Sequence, residues 1–140
     1  MIKFKLSVPT LNENWWESSR NEIARILQED NRAAWGEEKD PQEGKKWAPL
    51  SARYKEWKSQ AYPGQPILRL TGRMQDRTRI RPEQAPGFFT ARMGADYGRY
   101  HMTGTSKMPA RPWLGIPVMS MPRVETAVAK AILKGRIRRF

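Results

Sequence analysis

The sequence contains no cysteine and a single histidine, His101. Without cysteine there is no disulfide, thiolate nucleophile, zinc ribbon or iron–sulfur cluster. With one imidazole, no multi-histidine metal site can be assembled. Acid is also scarce: 14 Asp and Glu stand against 26 Lys and Arg, a formal net charge of +12. Long apolar runs are missing as well. The best charge-free apolar stretch, Trp113 to Met119, is broken by Gly115 and Pro117, whereas a membrane span needs about 20 apolar residues. Met1 to Leu11 alternates polar and apolar residues and lacks the apolar core of a secretory leader. These absences lead us to expect a soluble basic protein, made in a reducing compartment or indifferent to redox, with no membrane partner.

A chain of 140 residues suits one domain spanning 1–140. Its charge is lopsided. Residues 1–70 carry 12 basic and 10 acidic side chains, and residues 71–140 carry 14 and 4. The second half therefore sets the field, which favours a polyanionic partner such as nucleic acid or an acidic protein surface.

Ile2, Phe4, Leu6 and Val8 alternate with polar residues, which predicts a half-buried strand over 2–8. Trp15, Trp16, Ser19, Ile23, Ile26, Leu27 and Ala34 recur at helical spacing, which predicts a helix over about 12–34, capped by Thr10 or Asn12 and stopped by Gly36. Residues 36–46 are polar and aperiodic, and read as a mobile loop. Ser51 opens a short helix reaching about Gln60. Thr78–Pro82 and Gly87–Met93 read as a hairpin. A Pro- and Gly-rich loop, Thr103 to Gly115, leads to a last helix opened by Met121-Pro122, with Val124, Ala127, Val128, Ala131 and Ile132 on one stripe. A basic tail follows at about 134–140. The sum is an α+β fold: a small antiparallel sheet with a long N-terminal helix and a C-terminal helix packed against it.

Chemistry is thin. Nucleophilic catalysis needs a base beside a hydroxyl or thiol, and His101 sits among aromatics in Tyr97-Gly-Arg-Tyr-His-Met102. A packed histidine and a general base are the two readings. Asp76 and Asp96 are the obvious carboxylates of the second half, but spacing does not pair them. No phosphate-cradling Gly-x-x-x-x-Gly-Lys-Ser/Thr is present. No catalytic residue, metal ligand or cofactor is assigned.

Binding has more support. Arg77, Arg79 and Arg81 alternate along a strand and so share a face. Three guanidinium groups on one side face solvent or a partner. Phe88 and Phe89 adjoin, so at most one joins them in a base-stacking surface. Arg136, Arg138 and Arg139 either touch phosphate or compensate the helix dipole. Trp15 and Trp16 lie about 100° apart on a helix, too far for one narrow stripe. Trp15, Trp16, Trp47 and Trp113 are therefore candidates for an interface as well as for the core. A small basic nucleic-acid-binding module fits these features.

Four ordered blocks point elsewhere. Gly44-Lys-Lys-Trp-Ala-Pro-Leu-Ser51 with Tyr54 and Lys58, Ile67-Leu-Arg-Leu-Thr-Gly-Arg-Met74, Tyr97-Gly-Arg-Tyr-His101 and Met108-Pro-Ala-Arg-Pro-Trp-Leu-Gly115 occur in this order. Together they resemble the phage virion morphogenesis family, the tail-completion proteins of Mu-like and related tailed phages. Gly98 stands where that family usually has Ala. The resemblance implies a non-enzymatic structural protein of the head–tail junction. It would assemble in the host cytoplasm and lie at the virion neck as a ring, most often a hexamer, that caps the tail tube and lets it join the head. Implied partners are further copies of the chain, tail tube or sheath proteins, head–tail connector or stopper proteins, and phage DNA in the channel. On that reading Arg111, held stiffly by Pro109 and Pro112, joins Trp15, Trp16, Trp47 and Trp113 at subunit or partner contacts, and the arginine strand and basic tail face the channel or another polyanion.

Overall fold

A computed structural model describes residues 2–6, 14–95 and 97–137, with the main chain alone for 135–137. Three short strands, β1 (Ile2–Lys5), β2 (Arg79–Pro82) and β3 (Phe88–Arg92), form an antiparallel sheet in the order β1-β3-β2. Five helices accompany it: α1 (Trp15–Gly36), α2 (Ala52–Ala61), α3 (Arg73–Asp76), α4 (Gly98–Thr103) and α5 (Met121–Ile137). The architecture is α+β, as the element pattern predicts.

Period-two patterning decides which face of the sheet is buried. Ile80 and Ala91 pair across β2 and β3, Phe4 pairs with Phe89, and these residues point inward. A one-residue slip would turn them to water, so the register is well determined. α1 lays Ile23, Ile26, Leu27 and Ala34 over this core at i, i+3, i+4 spacing. α5 adds Val124, Ala127 and Ala131 against α1. Each fully buried aliphatic side chain contributes about 1.5–3 kcal/mol.

Polar side chains fix the angle of α5. Ser120 Oγ donates to Asp30 at 2.6 Å, and Arg123 reaches Asp30 at 3.1 Å and Glu29 at 2.8 Å. At the start of α1, Glu17 lies in the first turn, where the helix dipole favours an anion. The expected caps Thr10 and Asn12 lie outside the described residues, as do Ser7 and Val8 of the expected longer strand.

Residues 36–46, expected as a mobile loop, form several hydrogen bonds. Glu38 adopts the left-handed conformation (φ 58°) that ends α1, and Lys39 N–H donates back to Ala34 at 3.0 Å. The Asp40 carboxylate accepts from Gln42 N–H at 2.8 Å, and Lys39 bridges to Lys46. An aspartate-centred turn supplies order without apolar periodicity.

The loop before α5 is clamped by buried side chains. Asn31 donates to Gly115 O at 3.0 Å and accepts from Gly115 N–H at 3.1 Å. Trp35 Nε1–H donates to Trp113 O, and Trp47 Nε1–H to Pro112 O at 2.6 Å. Trp113 is fully buried and donates to Gly98 O at 2.8 Å.

That last contact explains Gly98. A Cβ there would lie 2.6 Å from Cζ2 of the Trp113 ring, which has no room to retreat. We expect Gly98→Ala to cost about 1–3 kcal/mol through overpacking, despite alanine's better helix propensity. Urea unfolding should show the lowered midpoint.

Candidate functional site

The aromatic residues expected at an interface are in the core. Trp15, Trp16, Trp47 and Trp113 are all buried. Trp16 meets Phe89 edge-on at 5.4 Å and donates to Glu83 O at 3.0 Å. Trp15 packs edge-on against Trp16 at 5.9 Å. The start of α1 lies over the sheet, so two rings about 100° apart both find cover. Trp16, Trp47 and Trp113 donate to carbonyls of their own chain, which leaves those rings neither surface nor donor for a neighbour. All four are core residues of the single chain.

Arg111 is buried too, and holds its own chain. Its Nε–H donates to Ala48 O at 2.8 Å and its Nη2–H to Pro49 O at 3.0 Å. It forms no ion pair among the described residues. It also lines a pocket of about 520 Å³ between α2, the 67–74 segment, α4 and the 107–111 loop. Lys58 and His101 share that pocket. Lys58 is the single buried residue of α2, and its ammonium donates to Pro66 O. Burial pushes the Lys58 amine below the usual lysine range; Glu38 opposes the shift and Arg111 adds to it. Burial likewise lowers Arg111, with Tyr54 opposing.

His101 is half-buried with its ring edge-on to Tyr97 at 6.2 Å. Burial, then the Arg111 charge, lowers its pKa from 6.5, so the neutral ring prevails at pH 7. Its buried Nδ1 has no hydrogen-bond partner, and among the described residues no hydroxyl or carboxylate bonds to the ring. Asp76 is gripped by the Arg69 fork at 2.9 and 3.0 Å, which holds its carboxyl below the usual range. Asp96 lies outside the described residues. Among the described residues no cluster of potential metal ligands occurs, and no helix is long and apolar enough to cross a membrane.

The outer face of the sheet is strongly basic. Arg79 and Arg81 are exposed on β2, as expected. Arg77 is exposed but precedes the strand: its backbone is still helical at the end of α3 (φ −95°, ψ −3°), so the alternation does not reach it. Arg92 takes its place, directly opposite Arg79 across β2 and β3. Lys3 and Lys5 extend the face onto β1, where Lys5 sits 5.4 Å over the Phe88 ring. Phe88 is thus the aromatic on this face, and Phe89 is core. Glu83 accepts from Thr90 at 2.6 Å beside it. Arg136 lies in α5 with its side chain undescribed, and Arg138 and Arg139 lie outside the described residues.

Among the described residues the exposed aromatics are Tyr54 and Trp57 on α2 and Tyr97 and Tyr100 at α4. Trp57, 49% exposed, meets Tyr54 at 5.5 Å and Tyr62 at 5.9 Å. Sequence reasoning passed over them in favour of other tryptophans. The available signal was the absence of any aliphatic stripe between Ala52 and Ala61: a helix without a buried seam has nowhere to put a tryptophan but outside.

The geometry thus offers a basic sheet face, an exposed aromatic helix and a cationic pocket beside it. Mu-like prophage FluMu G protein 1 of Haemophilus influenzae is 24% identical over 123 residues, which covers 82% of this chain and 84% of that protein. No solved structure matches the chain. The sequence profile of the phage virion morphogenesis family matches residues 17–133, and the chain belongs to that family.

Proposed function

We propose that this member of a virion morphogenesis family is a tail-completion protein of the head–tail junction. It assembles as a ring, six copies in the reading we favour, that caps the tail tube and receives the head. The match over residues 17–133 carries this reading, because it spans most of the chain, from α1 through α2 and the β2–β3 hairpin into α5. The molecule's chemistry supports it. The aromatic surface of α2 is exposed and open to a protein partner. The basic face suits a channel that DNA traverses.

The test is genetic and structural. Deleting the gene should leave filled heads and finished tails that fail to join. Electron microscopy of complete particles should place the protein at the neck as a closed ring. Infectious particles that join normally without it would refute the proposal. The basic face also supports a second reading, a monomeric nucleic-acid-binding module, which predicts tight salt-dependent DNA binding by a species of 16.3 kDa and no place in the particle.

A further inference from the structure

The pocket beside α2 presents an unresolved electrostatic problem. Lys58 and Arg111 are both buried, and their recorded hydrogen bonds go to neutral carbonyls, those of Pro66, Ala48 and Pro49. Glu38 is near enough to act on Lys58 but makes no ion pair with it, and buried charge without a directly bonded opposite partner is costly. Neither cation forms an ion pair among the described residues, and no carboxylate lines the pocket. Lys107 and Arg73 add positive charge to its wall. Arg111 Nη1 makes no hydrogen bond, so the guanidinium has donors in reserve. Leu68, on the wall, holds a left-handed backbone (φ 68°), a strain that a leucine rarely carries.

Resting on the reading of the chain as an assembly protein, we propose that this pocket is a socket for an acidic, apolar peptide segment of a different virion protein, whose carboxylate seats against Arg111 and Lys58. Two features favour a peptide over a small anion. Apolar side chains, Leu50, Leu68, Leu70, Met74 and Met108, line it beside the polar Ser51, Thr71 and His101, and Tyr54 continues the surface onto exposed Trp57. A second copy of the chain is disfavoured as the occupant of this cationic site because each copy is itself basic, with a net charge of +12, and ring contacts between copies use other surfaces.

Calorimetry with the blocked peptide acetyl-Leu-Asp-Phe-Glu-Leu-amide, and its Asn/Gln counterpart, tests the socket at constant salt. The acidic peptide should bind and the amide counterpart should lose about tenfold or more, the mark of a desolvated charge pair. Lys58→Met should cost a similar factor. Arg111→Gln should do the same, but Arg111 also holds the 48–49 segment, so Lys58→Met, checked for an unchanged circular dichroism spectrum, is the deciding variant. Equal binding of both peptides, binding of neither, or displacement by equimolar inorganic phosphate would overturn the proposal. So would concentration-dependent self-association abolished by Lys58→Met, since a second copy would then be the occupant. Failure of the peptide to bind to a protein that still forms the neck ring removes the socket alone. Peptide binding by a protein absent from the neck upholds the socket and removes the neck reading instead.

Discussion

Trp113→Ala should be among the most destabilising single substitutions in this chain, lowering stability by about 3–5 kcal/mol, the range for emptying a buried tryptophan site. The expectation rests on three roles held by one residue. The ring is fully buried and meets Trp35 at 5.4 Å. Its N–H satisfies Gly98 O at 2.8 Å, and its own carbonyl accepts from Trp35. Truncation leaves a cavity and a buried Gly98 carbonyl without its donor, which keeps the loss within that range rather than below it. A domain of this size has about 5–15 kcal/mol in total, so the variant should melt roughly 10–15 °C lower. Trp113→Phe separates the roles. It keeps most of the packing, loses the donor, and should recover about half of the loss. If the alanine variant melted within 2 °C or so of the parent, the loop from Arg111 to Gly115 would not be the clamp that its hydrogen bonds describe.

The clamp also shows what was legible in the sequence. Helix and strand periods are local, so α1, α2, the β2–β3 hairpin and the α5 stripe could be read from Ile23, Ser51, Ile80 and Val124 and their neighbours alone. The partners of an indole are not local. Trp47 donates across 65 residues and Trp35 across 78, and nothing in their flanks distinguishes a ring that closes the core from one that waits for a neighbour. The same limit hid Arg92, whose place opposite Arg79 depends on strand register. Arg77 misled for the opposite reason: alternation in sequence continued where the backbone had already turned into α3. The pocket was half legible. The stiff setting of Arg111 between prolines suggested a subunit or partner contact, but Lys58 and His101 reach it from α2 and α4, and only the fold brings those together.

The arginine face carries the second large effect. Five exposed cations, Lys3, Lys5, Arg79, Arg81 and Arg92, lie on one side of the sheet. If each neutralises one phosphate, the logarithm of affinity for duplex DNA falls with the logarithm of salt at a slope of about −4.5. Raising salt from about 50 to 200 mM then weakens binding roughly 500-fold. Replacing Arg79, Arg81 and Arg92 together with Ala leaves two cations, a slope of about −1.8 and a loss of only roughly 12-fold over the same range. Fluorescence anisotropy across a salt series measures both slopes. In the triple variant the relief of Arg79 facing Arg92 offsets the two hydrogen bonds that Arg79 donates to Asp76 O and Thr78 O, so circular dichroism should show the parent's fold. An unchanged slope in the triple variant would mean that the DNA-facing charge lies elsewhere, and the sheet would then be free to dock an acidic protein surface.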